Sequence, residues 1–154
     1  MTAEELWKCF VKEKGITDAE YDAWAFGDDA DGLAELVKNG TKTGTSSAYP
    51  LYELEGEELP QACGYSVILN AKEEAVCIIK NTKVYIVPFC EVSESHAFKE
   101  GEGDRSLEYW RNVHKEFFSV CMEEAGLAFD ENMKVVCEEF EVVYVPAEKE
   151  KRVL

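Results

Sequence analysis

The segment Gly40 to Ser47 has the composition of a chemically active loop. It combines one amine, two glycines and five hydroxyls, and it contains no apolar side chain. Such polar side chains are not expected in a hydrophobic core. The segment follows a short helical pattern that ends at Gly40, so its backbone and hydroxyls are predicted to form a glycine-punctuated loop that is free to meet a ligand. A functional site is therefore predicted around Lys42.

A second concentration of polar chemistry lies between Pro88 and Ser106. Two glycines bracket Glu102 there, and acidic residues alternate with them. Glycine permits turns that present neighbouring side chains, so the carboxylates are predicted to lie on a bend. On its own this pattern fits either a functional site or a solvated turn. The presence of a second polar segment around Lys42 favours a functional site.

Three helices are predicted before the first loop. Thr2 with Glu5 has the spacing of a capping box, and the spacing recurs at Thr17 with Glu20. The first helix is expected to reach about Gly15 with Leu6, Trp7 and Phe10 inward. The second is expected to include Tyr21 and Trp24 and to stop near Gly27, and a third begins near Asp31.

Strand-like runs follow from Gly64. Three runs rich in β-branched and apolar residues cover 65–69, 75–79 and 84–87, and short polar connections favour antiparallel pairing. A short helix is predicted at 93–99, a long one at 106–124 and a last strand at 134–145, with a bulge at Glu138-Glu139. The prediction is an α+β fold around a small barrel-like sheet, with residues 1–154 forming a single domain.

The charge and composition of the chain limit the kinds of molecule that it is expected to bind. Acidic residues outnumber basic ones 32 to 16, and the formal charge of −16 repels DNA, RNA and anionic membranes unless a local basic patch overrides it. A neutral or cationic small substrate fits this balance better than a polyanion. The six cysteines lack zinc-site spacing, and neither a signal peptide nor an apolar run of membrane-spanning length is seen. We expect a cytoplasmic protein with no cofactor and no membrane partner.

The combined motifs resemble the ASCH domain family. They are Gly40-x-Lys42-Thr43-x-Thr45, Pro88-Phe89-x-Glu91-Val92, His96-Ala97-x-x-Glu100-Gly101-Glu102-Gly103-Asp104 and the following Ser106-Leu107-x-x-Trp110-x-x-x-His114-x-x-Phe117-Phe118. The likeness extends from about Trp24 to Tyr144 and is greatest to larger bacterial ASCH proteins with the Glu-Gly-Glu-Gly-Asp signature. It implies a PUA-like mixed β-barrel flanked by helices, with an N-terminal helical extension at 1–32, an ASCH core at 33–146 and one long C-terminal helix.

The resemblance implies two kinds of activity. One small bacterial member removes the acetyl group from N4-acetylcytidine with a Lys, a Thr and a Glu, and the matching positions are Lys42, Thr45 and Glu100. Other members are described as metal-dependent ribonucleases or RNA-binding modules. The expected partner is a nucleoside-like small molecule and, in the alternative, single-stranded RNA. A ligand-sensing module without catalysis is a third interpretation. The sequence leaves the oligomeric state open.

The amidohydrolase interpretation assigns roles to the three matching residues. Lys42 would take the proton of Thr45, which would attack the acetyl carbonyl, and amides of the Gly44-Thr45-Ser46 turn would stabilise the oxyanion. Glu100 would hold Lys42 or protonate the leaving amine. A water activated by the same three residues, with Thr45 only binding substrate, is a second route.

Further residues are candidates for binding the substrate. Aromatic side chains near the motifs could stack a nucleobase, and hydroxyl or guanidinium groups could hold polar atoms. The candidates are Thr43, Ser46, Trp24, Tyr49, Phe89, Arg105, Ser106 and Trp110. Small amidohydrolases have an apolar residue and an Arg where this chain has Ser46-Ser47, so the substrate contacts are expected to differ. His96 and Glu100 could share a helical face, but two ligands make a weak metal site, so no metal is predicted.

Overall fold

The computed structural model describes residues 1–147, so residues 148–154 of the predicted domain lie outside the described part. The helices are α1 (Ala3–Lys14), α2 (Ala30–Lys38), α3 (Tyr49–Glu55), α4 (Glu94–Glu100) and α5 (Leu107–Glu124). The strands are β1 (Tyr21–Ala25), β2 (Gly44–Ala48), β3 (Tyr65–Leu69), β4 (Ala75–Pro88) and β5 (Lys134–Tyr144). They form one sheet in the order β1-β3-β4-β5-β2, in which β1 and β3 are parallel.

The chain divides into two compact units. The first unit comprises residues 1–40, 63–80 and the segment from Glu141 onward, and the second comprises residues 41–62 and 81–140. Both units contain part of β4 and part of β5. Among residues 1–147, no helix has the length and apolar character needed to cross a bilayer.

The core of the first unit forms under α1. The predicted capping box is present, because Thr2 accepts from the Glu5 amide while the Glu5 carboxylate reaches back to the Thr2 amide. Gly15 ends the helix in the left-handed conformation. The predicted inward residues Leu6, Trp7 and Phe10 are buried and pack with Val67 of β3 and Ile78 of β4.

The predicted helix over residues 17–27 is wrong. Residues 21–25 form β1, which pairs in parallel with β3 and places Tyr21 beside Tyr65. The Tyr21 ring stacks on Trp7 with centroids 4.6 Å apart, and Asp18 has a positive φ of 58°, which a helix does not allow. Pairing and packing thus override the capping-box spacing of this segment. The next helix begins at Ala30, close to its predicted start.

Two boundaries in the sheet also differ from the predictions. The runs at 75–79 and 84–87 are parts of one continuous strand, β4, so the polar residues Asn81 and Thr82 lie within a strand rather than in a turn. The second half of the predicted Lys42 loop is β2, which pairs antiparallel with β5. That pairing runs without a register shift through Glu138 and Glu139, where a bulge was expected.

The core of the second unit joins α4 and α5 to β2 and β5. Its buried members include Phe89, Trp110, Phe118, Val135 and Cys137. Both helices occur where they were predicted. Ser93 and Ser106 begin α4 and α5 by accepting hydrogen bonds from amides three residues later.

Candidate active site

Glu100 is the centre of a buried polar cluster in the second unit. It is the last residue of α4, and its side chain is 2% exposed. Its carboxylate meets Lys42, Ser46, His96, Trp110 and His114, which come from the segment before β2, from β2 itself, from α4 and from α5. A carboxylate with this many donors is held in one orientation. The arrangement joins both polar segments singled out in the sequence.

Lys42 is held between two carboxylates. Its Nζ lies 3.2 Å from Glu100 Oε1 and 3.0 Å from Glu102 Oε2, and it also donates to the Glu100 carbonyl at 3.3 Å. The residue is 1% exposed, whereas the Glu102 side chain is 21% exposed. The Lys42 side chain therefore lies buried between the buried carboxylate of Glu100 and the partly exposed carboxylate of Glu102.

A close backbone approach positions this ion pair. Gly101 follows Glu100 with a φ of +72°, and a Cβ at this position would lie 2.5 Å from the Thr41 carbonyl oxygen. Thr43 adds a second link, since its amide donates to the Lys99 carbonyl at 2.7 Å. The Glu-Gly-Glu segment thus allows α4 to end directly against the residues that carry Lys42.

Ser46 is the β2 hydroxyl that reaches Glu100. Its Oγ donates to Glu100 Oε2 at 2.6 Å and lies 2.8 Å from His96 Nε2. Ser46 is paired with Cys137 of β5, and Cys137 belongs to the core beneath α4. This face of β2 is consequently the one that meets the Glu100 cluster.

Thr45 lies on the opposite face of β2. Successive side chains of a strand point to opposite faces, and the register pairs Thr45 with Glu138 rather than with Cys137. The structure therefore brings Lys42 and Glu100 together but does not bring Thr45 to them. The expected Gly44-Thr45-Ser46 turn is extended strand instead.

Two histidines and a tryptophan complete the cluster. The Trp110 indole N–H donates to Glu100 Oε2, and its ring stacks on His114 with centroids 4.2 Å apart. His114 Nδ1 is 2.9 Å from the Trp110 carbonyl, and its Nε2 is 3.4 Å from Glu100 Oε1. His96 Nε2 is 3.2 Å from Glu100 Oε2. Trp110, a predicted substrate contact, is thus a buried partner of the carboxylate.

Electrostatics keeps these groups charged. Burial opposes the charge of Glu100, but Lys42 and the two histidines prevail and hold the pKa of its carboxyl well below 4.5. Burial also opposes charge on His96, yet its contacts with Cys137 and Glu100 raise the pKa of His96 to about 9. The pKa of His114 is raised against the effect of burial by Glu100. Near neutral pH the cluster therefore contains an ionised Glu100 carboxylate and a protonated His96.

Comparison with known proteins identifies the family. A family model of the ASCH domain matches residues 22–144. The chain belongs to the ASCH domain family.

Two crystal structures resemble this ASCH chain over most of its length. The ASCH domain from Lactobacillus crispatus JV V101 is 32% identical with a TM-score of 0.85, covering 92% of this chain and 93% of that one. A protein from Enterococcus faecalis V583 is 38% identical with a TM-score of 0.87, covering 96% and 91%. An ASCH mutant protein from Zymomonas mobilis is 11% identical with a TM-score of 0.50, covering 84% and 76%, and shares the fold alone. No protein of curated function matches the sequence.

These likenesses confirm the predicted α+β, PUA-like fold class. Membership of the ASCH domain family assigns the chain a PUA-like fold. Neither the substrate nor the individual roles of Lys42, Thr45 and Glu100 follow from this membership.

The remaining predicted binding residues of this ASCH domain have mainly local partners. Phe89 is 2% exposed and packs against Trp110 in the core. Arg105 donates to the carbonyls of Phe98 and Thr41 and lies over the Phe98 ring. Ser106 caps α5, the Tyr49 ring lies beneath the Lys134 amine, and Trp24 contacts Phe26 in the first unit.

One buried polar pair was not predicted as a site. Glu138 of β5 and Asn81 of β4 are 8% and 5% exposed, and Asn81 Nδ2 donates to Glu138 Oε1 at 3.0 Å. The sequence did contain a signal, because Glu138 interrupts the apolar pattern of β5. That interruption was attributed to a bulge, whereas it marks a buried carboxylate.

Three side chains of the cluster have the chemistry of metal ligands. Oxygen atoms of Glu100 and Glu102 and a nitrogen of His114 lie within 4.8 Å of one another. Carboxylate and imidazole groups suit several divalent ions. The Lys42 ammonium already lies 3.2 Å and 3.0 Å from the two carboxylates, so a metal ion would compete with it for the same oxygens.

Proposed function

We propose that this ASCH protein hydrolyses the amide bond of a small acylated nucleoside, of which N4-acetylcytidine is the model. The observation that carries the proposal is the meeting of Lys42, Ser46 and His96 on the Glu100 carboxylate. The cluster offers a hydroxyl, an anionic acceptor and cationic donors within hydrogen-bond distance of one another. Those are the groups that acyl transfer needs.

The free energy that is needed to bury these charged groups supports a functional role for the cluster. Taking an ion out of water costs several kcal/mol, and pairing often only restores this loss. An apolar core would avoid the cost, yet Lys42, His96 and Glu100 are each 2% exposed or less. Buried titratable groups with shifted pKa values concentrate at functional sites.

Ser46 is assigned the nucleophilic role in this proposal. Its hydroxyl would lose its proton to Glu100 Oε2 as its Oγ bonds to the acetyl carbon. His96, which is protonated near neutral pH, would give a proton to the departing amine nitrogen as the C–N bond breaks. A water molecule would then attack the acetyl ester of Ser46 and give one proton to His96. As the ester C–O bond breaks, Ser46 Oγ would take its proton back from Glu100, and acetic acid would leave and ionise to acetate. Because the pKa of Glu100 is low, proton transfer to it is costly, and Lys42 must stabilise the developing oxyanion to offset this.

The distribution of basic groups favours a small substrate over RNA. Lys42 is buried between carboxylates, and Lys99 is paired with Glu139 at 2.6 Å. Arg105 and Arg111 both donate to backbone carbonyls. A chain with a formal charge of −16, in which these four basic residues are engaged with other groups, has little near the motifs with which to hold a series of phosphates.

The test is to incubate the protein with N4-acetylcytidine in the presence of a chelator. The release of acetate and cytidine is measured by chromatography. We expect Lys42→Met, Glu100→Gln and Ser46→Ala each to lower kcat/KM by about 100-fold or more, as loss of a reacting or oxyanion-stabilising group does. Thr45→Val is the matched control on the opposite face of β2. Equal activity of Ser46→Ala and wild type, with loss in Thr45→Val, would return the nucleophilic role to Thr45. No turnover of several acylated nucleosides would overturn the proposal.

One observation favours the alternative of a metal-dependent ribonuclease, namely the proximity of Glu100, Glu102 and His114. This alternative predicts cleavage of single-stranded RNA that depends on added Mg²⁺ or Mn²⁺ and stops with chelator. His114→Gln would abolish this metal-dependent cleavage, because it removes the nitrogen ligand. Binding of RNA without cleavage would instead indicate an RNA-binding module.

A further inference from the structure

The amine of Lys42 has its hydrogen-bonding capacity filled by the protein itself. Its Nζ donates to the Glu100 carbonyl at 3.3 Å, to Glu100 Oε1 at 3.2 Å and to Glu102 Oε2 at 3.0 Å. A charged lysine amine has three N–H groups and no acceptor, so these three contacts engage all of them. A ligand oxygen therefore receives a hydrogen bond from Lys42 only by replacing one of the three acceptors.

The two acceptors that Glu100 supplies are fixed. Its carboxylate also accepts hydrogen bonds from Ser46 and Trp110, and the side chain is 2% exposed. Its carbonyl is backbone at the end of α4, directly before the close approach of Gly101 to Thr41. Neither oxygen can leave Lys42 without disrupting other contacts.

Glu102 differs, because its carboxylate can move while its backbone stays in place. The Arg105 amide donates to the Glu102 carbonyl at 3.0 Å, and Gly103 packs so closely on the Tyr109 ring that a Cβ would meet it. The Glu102 carboxylate is partly exposed, and Lys42 is its only hydrogen-bond donor among residues 1–147. Rotation of the Glu102 side chain into solvent thus makes one N–H group of Lys42 available.

We propose that the position of the Glu102 carboxylate on Lys42 is a binding site for a ligand acyl oxygen, which displaces Glu102 from it. The ligand is a small carboxylate such as acetate, or the acyl group of a substrate. A carboxylate supplies the same charged acceptor that Glu102 supplies, so Lys42 keeps its contact after the exchange. The oxygen of an acyl group becomes a comparable acceptor as it gains negative charge during acyl transfer.

Glu102 is a tethered competitor for this site. A tethered group acts at a high effective concentration, so a free ligand must be abundant or must bind strongly to replace it. The wild type is therefore expected to bind acetate weakly, and removal of the Glu102 carboxylate is expected to strengthen binding. Acetate binding does not depend on catalysis, whereas displacement by a substrate rests on the proposed hydrolase function.

The first experiment is an NMR titration of the full chain with sodium acetate, with sodium chloride at equal ionic strength as the ligand control. The indole N–H resonance of Trp110 reports binding, because this group donates to the Glu100 carboxylate. The indoles of Trp7 and Trp24 belong to the first unit and serve as internal references.

Two variants are compared with the wild type in this titration. Glu102→Ala removes the competing carboxylate and should bind acetate about tenfold more tightly, since a charge-assisted contact no longer has to be replaced. Glu108→Ala removes an equal charge from an exposed position of α5 and should bind acetate as the wild type does. If Glu102→Ala does not fold, Glu102→Gln should tighten binding about threefold, because a neutral amide competes less strongly.

Three results of the titration would overturn the proposal. They are acetate binding that is no tighter in the Glu102 variant than in the wild type, equal tightening in Glu108→Ala, and equal displacement of the Trp110 resonance by chloride.

The second experiment measures hydrolysis of N4-acetylcytidine by the same proteins. In Glu102→Ala the substrate oxygen has no carboxylate to displace, so KM should fall and kcat/KM should rise about tenfold, whereas a merely structural role of Glu102 would lower kcat/KM. Acetate should inhibit this variant at about tenfold lower concentration than the wild type. Turnover by the wild type with an unchanged or higher KM in Glu102→Ala would contradict displacement by the substrate. Absence of turnover in the wild type would count against the hydrolase function, and the acetate titration would still decide whether the site exists.

Discussion

The two compact units use their buried volume differently. In the first unit, Leu6, Trp7 and Phe10 pack with Val67 and Ile78, and the core is apolar and aromatic. In the second unit, three of the most deeply buried side chains are those of Lys42, His96 and Glu100.

This difference predicts that the two units contribute differently to stability and to chemistry. Apolar burial lowers the free energy of the folded state directly, whereas buried ions must first recover the cost of leaving water. The second unit can therefore retain its ions only because each one has a partner. The comparison predicts that mutations in the apolar core of the first unit lower the free energy of unfolding and leave activity in the folded protein, whereas mutations in the Glu100 cluster lower activity.

The largest effect is expected when the central carboxylate loses its charge. Glu100→Gln leaves Lys42 and two histidines without their shared anion, and breaking a buried pair typically costs about 3–5 kcal/mol. Phe10→Ala in the first unit should cost about 3–5 kcal/mol as well, through the cavity that it leaves. Urea unfolding measures both. Hydrolase activity should disappear in the first variant and persist in the folded fraction of the second. A Glu100→Gln variant as stable as wild type would show that the cluster is not ionic.

A smaller effect is expected from pH. The pKa of His96 is raised from 6.5 to about 9, so its stabilising contacts are fully present below pH 6.5 and are lost as the pH rises through 9. The pKa of Glu100 is lowered from 4.5, so its contribution is present above that pH and is lost as the pH falls further. Between pH 6.5 and 10 the free energy of unfolding should fall by about 2–3 kcal/mol.

Urea titrations across this pH range test the expectation. A His96→Gln variant is the control and should show a flatter profile. An unchanged slope in this variant would assign the dependence to another group.

Two helix-ending glycines give a more graded comparison. Gly15 of the first unit and Gly101 of the second have φ values of +64° and +72°, but only at Gly101 would a Cβ meet the backbone, 2.5 Å from the Thr41 oxygen. Gly15→Ala should cost about 1 kcal/mol, the usual penalty for a left-handed alanine. Gly101→Ala should cost about 2–3 kcal/mol and lower activity by moving Glu100 from Lys42. Thermal unfolding and turnover assays distinguish the two, and equal costs would contradict the close approach.

The smallest effect is expected at the helix caps. Thr2→Ala and Ser93→Ala each remove a side-chain oxygen that accepts from an amide, which costs about 1 kcal/mol. Only Ser93 begins the helix that carries His96 and Glu100. Activity should therefore fall in Ser93→Ala and remain in Thr2→Ala at equal folded fraction, and the opposite order would show that α4 holds its position without its cap.

The two capping-box spacings show how far local sequence determines secondary structure. Thr2 with Glu5 starts α1 as predicted. Thr17 with Glu20 has the same spacing, but the following residues pair with β3 and stack on Trp7. The local hydrogen bonds of a cap are worth about 1 kcal/mol, and a full strand pairing with aromatic packing exceeds them.

The polar residues inside β4 and β5 illustrate the same limit. Asn81 resembles a turn residue in the sequence, and Glu138 resembles an irregularity. Each is tolerated within a strand because the other supplies its hydrogen-bond partner. That pairing joins residues 57 positions apart, so no local pattern could indicate it.

The sequence by itself determined the family and the α+β class, since residue types at fixed spacing carry that information, and it predicted Lys42 and Glu100 as site residues. It did not determine which hydroxyl meets Glu100. Thr45 and Ser46 are adjacent and chemically similar, and only the pairing of β2 with β5 assigns them to opposite faces. A shift of one residue in a strand exchanges its faces, so this choice belongs to the tertiary structure.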